Sequence, residues 1–139
     1  MAKIAGFRGV MEYSDDGGTT YTAIGELRDW TLRASSNPID ATTKDSGGWE
    51  ETLHGIRNWT VSADGLFVDA DAGQSALFDA LVDQNEVTVR LRPAEGSGLP
   101  EYEGLVIVTD WELGSPLSDA TVTSVEMKGN GALTESAQA

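Results

Sequence analysis

The sequence contains no cysteine, which excludes disulfide bonds, thiolate nucleophiles and cysteine-based metal sites. It has a single histidine, His54, so neither a histidine metal cluster nor a catalytic site with a spare histidine is available. No apolar run approaches the ~20 residues that span a membrane, and the amino terminus lacks the apolar core of a signal peptide. We therefore expect no membrane span, no secretion signal and assembly in a reducing cytoplasm.

Basic residues are also scarce. Nine Lys and Arg against 23 Asp and Glu give a formal net charge of −14, which disfavours conventional nucleic-acid binding. From Glu95 to the end of the sequence there are eight acids and only one base, Lys128. Two interpretations stay open: the acids keep the protein soluble, or they form a surface that a polyanion cannot adhere to.

What the chain does contain is typical of one mainly β domain. It has 139 residues and 16 glycines, and alternating apolar and polar positions are separated by turn signals such as Asp16-Gly17. Alternation predicts strands at 7–14, 19–24, 27–35, 59–68, 86–92, 104–113 and 119–127.

One segment changes to a helical period. Asp71 is a suitable N-cap for a helix over 72–82. Its spacing predicts an apolar stripe of Leu77, Phe78, Leu81 and Val82 toward the sheet, with Gln74, Asp79 and Asp83 facing away.

Two further segments are polar. A loop of about twenty residues, 37–58, is too long for an ordinary connection in a compact domain and indicates a functional excursion. Its Trp49 either folds back on its own domain or inserts into a partner. The segment 129–139 is small and polar, and we expect it to fray unless a neighbour orders it.

No motif carries catalytic chemistry. The aspartates around Asp71 lack the further oxygen donors of a calcium loop and are better explained by helix capping. The sequence therefore predicts no catalytic, cofactor-binding or metal-binding residue, and we expect no enzyme.

The segment 39–67, IDATTKDSGGWEETLHGIRNWTVSADGLF, resembles the phage major tail proteins of long, non-contractile tails. In these proteins an "Ile/Val-Asp-x-Thr-x-Lys-Asp-Ser, aromatic, Glu, x, Leu, x-Gly" stretch precedes a "Ser-x-x-Gly-x-Phe" strand and an Ala/Leu-rich helix. The ending Gly129-Asn-Gly-Ala-Leu133 is similar to theirs, and the resemblance extends from about Tyr21 to Leu133.

The resemblance implies a β-sandwich or barrel-like tail-tube fold with one flanking helix. It also implies hexameric rings whose inner strands line a channel, stacked into a tube that conducts DNA at ejection without binding it specifically. Expected partners are further copies of the chain, a tape-measure protein and tail terminator or initiator proteins. The protein would be assembled in the host cytoplasm and would reside in the virion tail.

Two sets of residues follow as candidates. The inter-ring loop would act through Lys44, Asp45, Trp49, Glu50 and His54. The acids assigned to the channel are Asp64, Asp110 and Glu112, and which acids face the channel depends on the strand register. Two alternatives are a sandwich-type binding module, carbohydrate-binding or adhesin-like, and an inner-tube protein of a contractile or secretion-type machine.

Overall fold

The computed structural model describes residues 3–25, 27–68, 71–118 and 120–138. Within these ranges the chain is mainly antiparallel β, with one α-helix and two 3₁₀ turns, at Gly6–Arg8 and Lys44–Ser46. The elements are β1 (Val10–Ser14), β2 (Thr22–Ala23), β3 (Leu27–Ser36), β4 (Ile39–Asp40), β5 (Thr52–Leu53), β6 (Arg57–Leu66), α1 (Ala72–Asp83), β7 (Glu86–Arg92), β8 (Pro100–Gly114), β9 (Val122–Gly129) and β10 (Thr134–Ala137).

The main sheet has the order β2-β1-β7-β8-β9-β6-β3, with β10 paired to the start of β8, and β4 and β5 form a separate hairpin. The 15-residue β8 connects the two halves of this sheet. Its first part pairs with β7 as far as Ile107, and its second part pairs with β9 from Val106 to Gly114.

Both halves of the sheet contribute to one hydrophobic core. Met11 and Val89 come from the β1–β7 half, Val61 and Met127 come from the β6–β9 half, and none of the four is more than 1% exposed. The two halves therefore face each other, and α1 covers the remaining side by packing mainly on β8. The predicted mainly β fold with one flanking helix is confirmed.

The orientation of α1 differs from the prediction. Asp71 does cap the helix, because its carboxylate accepts a hydrogen bond from the Gln74 N–H at 2.9 Å. The predicted stripe is wrong in part: Phe78 and Val82 are 41% and 61% exposed, whereas Gln74 is buried. Asp79 and Asp83 are exposed as predicted.

Burial of Gln74 has a specific cause. Its amide accepts a hydrogen bond from the Val68 N–H at 3.0 Å and donates to the carbonyls of Leu66 at 2.9 Å and Gly25 at 3.2 Å. The Gln74 amide therefore satisfies three backbone groups, and these hydrogen bonds make its burial favourable. Helical periodicity alone predicts that this polar side chain is exposed.

The first two strands are shorter than predicted, since turns occupy their ends. A 3₁₀ turn precedes β1, and β2 is preceded by a long turn built on Asp16. The Asp16 carboxylate accepts from the Ser14 hydroxyl at 2.6 Å and from the Thr19 and Thr20 N–H groups at 3.1 and 3.0 Å. These bonds hold the pKa of Asp16 down at about 2, with the Ser14 hydroxyl the largest cause.

The expectation that the C-terminal segment frays is wrong for the described residues. β10 pairs with β8 from Thr134↔Glu103 to Ala137↔Pro100. Gln138 is buried, donating from its amide to the Ala94 carbonyl at 2.7 Å and accepting from the Gly96 N–H at 3.1 Å. The predicted last strand began at Asp119, which lies outside the described residues; β9 begins at Val122.

Candidate functional site

A four-stranded ladder carries a group of exposed charged residues. It consists of β3, β6, β9 and the second part of β8, and its inner side faces the core through residues such as Val61, Val125 and Met127. One end of this ladder, the arm end, is where Ser36 pairs with Arg57. The opposite end, the turn end, is where Leu66, Val122 and Gly114 lie side by side.

The outer side of the ladder, which we call the acidic face, is arranged in rows two residues apart along each strand. Charges are sorted by row, with acids toward the turn end and bases toward the arm end. From the turn end, the rows are Asp29, Asp64, Ser124 and Glu112; then Thr31, Ser62, Glu126 and Asp110; then Arg33, Thr60, Lys128 and Ile107.

The three acids predicted from the sequence, Asp64, Asp110 and Glu112, all lie on this face and are all exposed. The structure adds Asp29 and Glu126, and the five carboxylates line one shallow groove. The added pair was available in the sequence, since Asp29 alternates with Trp30 and Glu126 with Met127 in the same way. The prediction missed both because the choice of acids depends on the register between strands, which the sequence alone does not give.

Two pairs on the acidic face place like charges directly opposite each other. Asp29 is the register partner of Asp64, and Asp110 is the partner of Glu126. Directly opposed like charges disfavour strand pairing. Within the described part of the chain, none of these acids has a salt-bridge partner. A sheet that retains uncompensated acids at a cost in stability indicates a use for the charge.

Both lateral edges of the ladder are open within the described residues. β3 pairs with β6 only, so the other edge of its ten residues has no strand partner. At the opposite side, β7 pairs with β8 only as far as Ile107, which leaves 108–114 unpaired on that side. Long open edges are sites where another strand can add.

The predicted loop is an ordered arm, which we define as residues 37–56, because Arg57 and Asn58 already belong to β6. Its base is closed by the Asn37 N–H donating to the Ile56 carbonyl at 3.0 Å, and its stem is the β4–β5 hairpin. Within the stem the Ala41 N–H donates to the Glu51 carbonyl at 2.9 Å.

The tip of the arm is a capped turn. Thr43 caps the 3₁₀ turn Lys44–Ser46, and Gly47 and Gly48 follow with φ of 67° and 84°, a region that glycine adopts without strain. In the stem, the hydroxyl and the N–H of Thr42 lower the pKa of the Asp40 carboxyl. The arm is thus shaped by its own hydrogen bonds.

All five predicted arm residues, Lys44, Asp45, Trp49, Glu50 and His54, are exposed. Trp49 is 79% exposed, which contradicts the alternative in which it folds back on its own domain. Ile56 at the base of the arm is 80% exposed. The arm therefore presents apolar side chains to solvent on a hydrogen-bonded hairpin.

A second charged cluster lies on the other half of the sheet and is internally neutralised. Arg90 contacts Glu12 at 3.0 Å, and Arg92 contacts Glu101 at 2.9 Å. The Arg90 guanidinium also lies 3.8 Å from the centre of the Tyr21 ring. Burial and a hydrogen bond to a glutamate raise the pKa of Tyr21 to about 12. This cluster uses two of the few bases to hold the turn before β2.

The described residues include no group of histidine and acidic side chains that could hold a metal ion. No helix in the described ranges has the length and apolar character of a membrane span.

Comparisons with known proteins identify one family and several solved structures with a similar fold. Residues 4–135 match the family model described as phage tail tube protein. The search of curated proteins returned no match.

Among solved structures, the fold is similar to a chain of the tail of an empty gene transfer agent (GTA) particle determined with C6 symmetry, with a TM-score of 0.83 and 23% identity over 96% of this chain and 98% of that one. It is similar to the SPP1 tail tube, with a TM-score of 0.77 and 13% identity over 98% and 80%. It is also similar to Hcp1 from Salmonella typhimurium, with a TM-score of 0.51 and 12% identity over 92% of each chain.

The mainly β fold and the one flanking helix of the described residues agree with a family match over residues 4–135: the chain belongs to the phage tail tube protein family.

Proposed function

We propose that this chain is the repeating subunit of a phage tail tube, in which six copies close a ring, rings stack, and the acidic face lines a channel for DNA. The observation that carries the proposal is the four-stranded ladder, whose exposed side is acidic and whose two lateral edges are both open. The open edges of such a ladder can pair with the edges of further copies of the chain.

Ring closure would pair β3 of one copy with residues 108–114 of β8 in the next. Each copy has one such edge of each kind, so the contact is heterologous and closes when the rotation between copies divides a full turn. A closed barrel leaves no free edge, which removes the aggregation hazard that the isolated ladder carries. The similar GTA tail has C6 symmetry, which supports closure by six copies.

The acidic face would then line the channel. DNA phosphates near the wall would meet five acids and two bases per copy. At physiological salt the Debye length is about 8 Å, so this repulsion acts across the thin layer between DNA and wall. A wall that repels DNA lets it slide during ejection, whereas a wall that bound phosphates would hold it.

The arm would join successive rings. A hairpin fixed by its own hydrogen bonds loses little conformational freedom on docking, and exposed Trp49 offers a large contact area to the neighbouring ring. In this function the partners are further copies of the chain, a tape-measure protein inside the tube, and initiator and terminator proteins at its ends. Assembly would take place in the host cytoplasm and the product would be the virion tail.

The test is electron microscopy of the concentrated protein combined with hydrogen exchange. We expect hollow rings with sixfold symmetry and tubes built from them. On assembly, amide exchange should slow in β3 and in residues 108–114, whereas β7, which already lies between two strands, serves as the internal control. Assemblies without a channel, or without new protection at these two edges, would contradict the proposal.

A further inference from the structure

Leu117 is an apolar side chain that lies in solvent. It lies in the turn between β8 and β9, at the turn end of the ladder, and its side chain is fully exposed at 105%. Its neighbours Ser115, Pro116 and Ser118 are uncharged and also exposed. We call this turn the knob, because it carries one fully exposed leucine between small uncharged neighbours and can enter a groove on another molecule.

An open groove lies at the opposite end of the same ladder, where the arm joins it. Its volume is about 1080 Å³, large enough for the tip of a turn. Apolar lining is contributed by Ala34, Ile56, Trp59, Ala132 and Leu133. Trp59 is buried, whereas Ile56 is 80% exposed at the rim. We call this groove the socket.

The knob and the socket of one molecule cannot meet. They are separated by the length of β6, whose ten residues extend over about 33 Å. Two copies arranged head to tail along the strand direction bring the knob of one against the socket of the next. A contact of this kind repeats without closing and therefore builds a stack.

The distribution of charge along the ladder also favours the head-to-tail arrangement. Lys128 and Arg33 form the row of the acidic face nearest the arm end, and Arg57 lies at the socket itself. The row nearest the turn end contains only acids among its charged residues, including Asp64 and Glu112. Head-to-tail stacking places bases of one copy toward acids of the next, whereas head-to-head and tail-to-tail contacts oppose like charges.

We propose that the Leu117 turn of one copy seats in the socket at the arm base of a second copy, and that this contact joins successive rings. The inference rests on the stacked tube proposed above and names a second joint for it, distinct from Trp49. The arm projects from the arm end, so the ring that receives the arm is also the ring whose Leu117 turn faces the socket.

The absence of cysteine permits a direct test by disulfide cross-linking. Leu117→Cys protein is mixed with Ala34→Cys protein and oxidised, with Leu117→Cys plus Ser75→Cys as the matched control, since Ser75 is exposed on α1. Bridging needs Cα atoms within roughly 7 Å, so only a seated turn should react efficiently. We expect several-fold more mixed dimer than in the control. An equal yield, or a dominant Leu117→Cys homodimer, would overturn the proposal.

A second variant separates this inference from the proposed function. Leu117→Asp should fold like the unmodified protein, because the side chain is already in water, and should form rings that do not extend into tubes. Leu117→Met, which keeps an apolar side chain of similar size, should still form tubes. If Leu117→Asp forms tubes as readily as the unmodified protein, the joint is wrong while the tube stands. If the unmodified protein forms neither rings nor tubes, the proposed function itself fails.

Discussion

At the scale of single residues, the Trp59 ring of β6 packs against two glycines of other strands. Its ring is buried, and its indole N–H donates to the Gly131 carbonyl at 3.0 Å, which satisfies the one polar group of the side chain. The ring lies directly over Gly104 of β8 and Gly129 of β9. At both positions a side chain would occupy space that the ring already fills.

Gly129→Ala is therefore expected to destabilise the domain. A methyl group at this position collides with the Trp59 indole, which is held in place by its hydrogen bond and by the surrounding core. Overpacking of this kind costs about 1–3 kcal/mol in the free energy of unfolding, measurable by urea denaturation. Gly6→Ala is the matched control, since a methyl group there meets nothing within 4 Å. Equal unfolding free energies for the two variants would contradict this account of Trp59.

At the scale of elements, the arm shows how a segment without apolar periodicity can still be ordered. Turn chemistry shapes it: the Thr43 cap, the Gly47-Gly48 pair and the short β4–β5 ladder. Because the stem bonds join arm residues to each other, removal of the tip together with β5 is expected to leave the domain largely undisturbed.

Deletion of 44–54 should prevent ring stacking and leave each subunit folded. The expected result is an unfolding midpoint close to that of the intact chain, together with single rings in electron micrographs. Trp49→Ala should weaken stacking in the same direction, with Trp49→Phe as a control that keeps an aromatic ring. Intact tubes from the deletion variant would refute the assignment of the arm.

The alternation of apolar and polar residues correctly predicted strands with one buried and one exposed side. β7 matches its predicted bounds, and the alternation in β6 placed Val61 and Ala63 inward and Asp64 outward. Alternation could not predict the buried polar residues, because their hydrogen-bond partners lie in other segments of the chain. Gln74 is buried because backbone groups from two other segments need its amide, and the last strand is held by Gln138, whose partners lie about forty residues earlier. Polar composition alone predicts exposure in both cases.

At the scale of the whole molecule, the net charge of −14 is distributed unevenly, and four of the nine bases lie in two places. Arg90 and Arg92 neutralise partly buried glutamates, and Arg33 and Lys128 form one row of the acidic face. The turn-end rows of that face are left without bases. The negative charge is thus concentrated on particular surfaces, and its effect on DNA depends on which surface faces the DNA.

Reversal of charge on the acidic face is therefore expected to convert a sliding surface into a binding one. In the variant Asp64→Lys, Asp110→Lys, Glu112→Lys, the face changes from five acids and two bases to two acids and five bases per copy. Tubes of this variant, once verified by electron microscopy, should retain short DNA at low salt and shield it from a nuclease, with retention falling steeply as salt rises. The control Asp79→Lys, Asp83→Lys, Glu95→Lys has the same total charge at exposed positions on and beyond α1. DNA bound to the control should stay open to the nuclease, and equal shielding by both variants would contradict the placement of the acidic face in the channel.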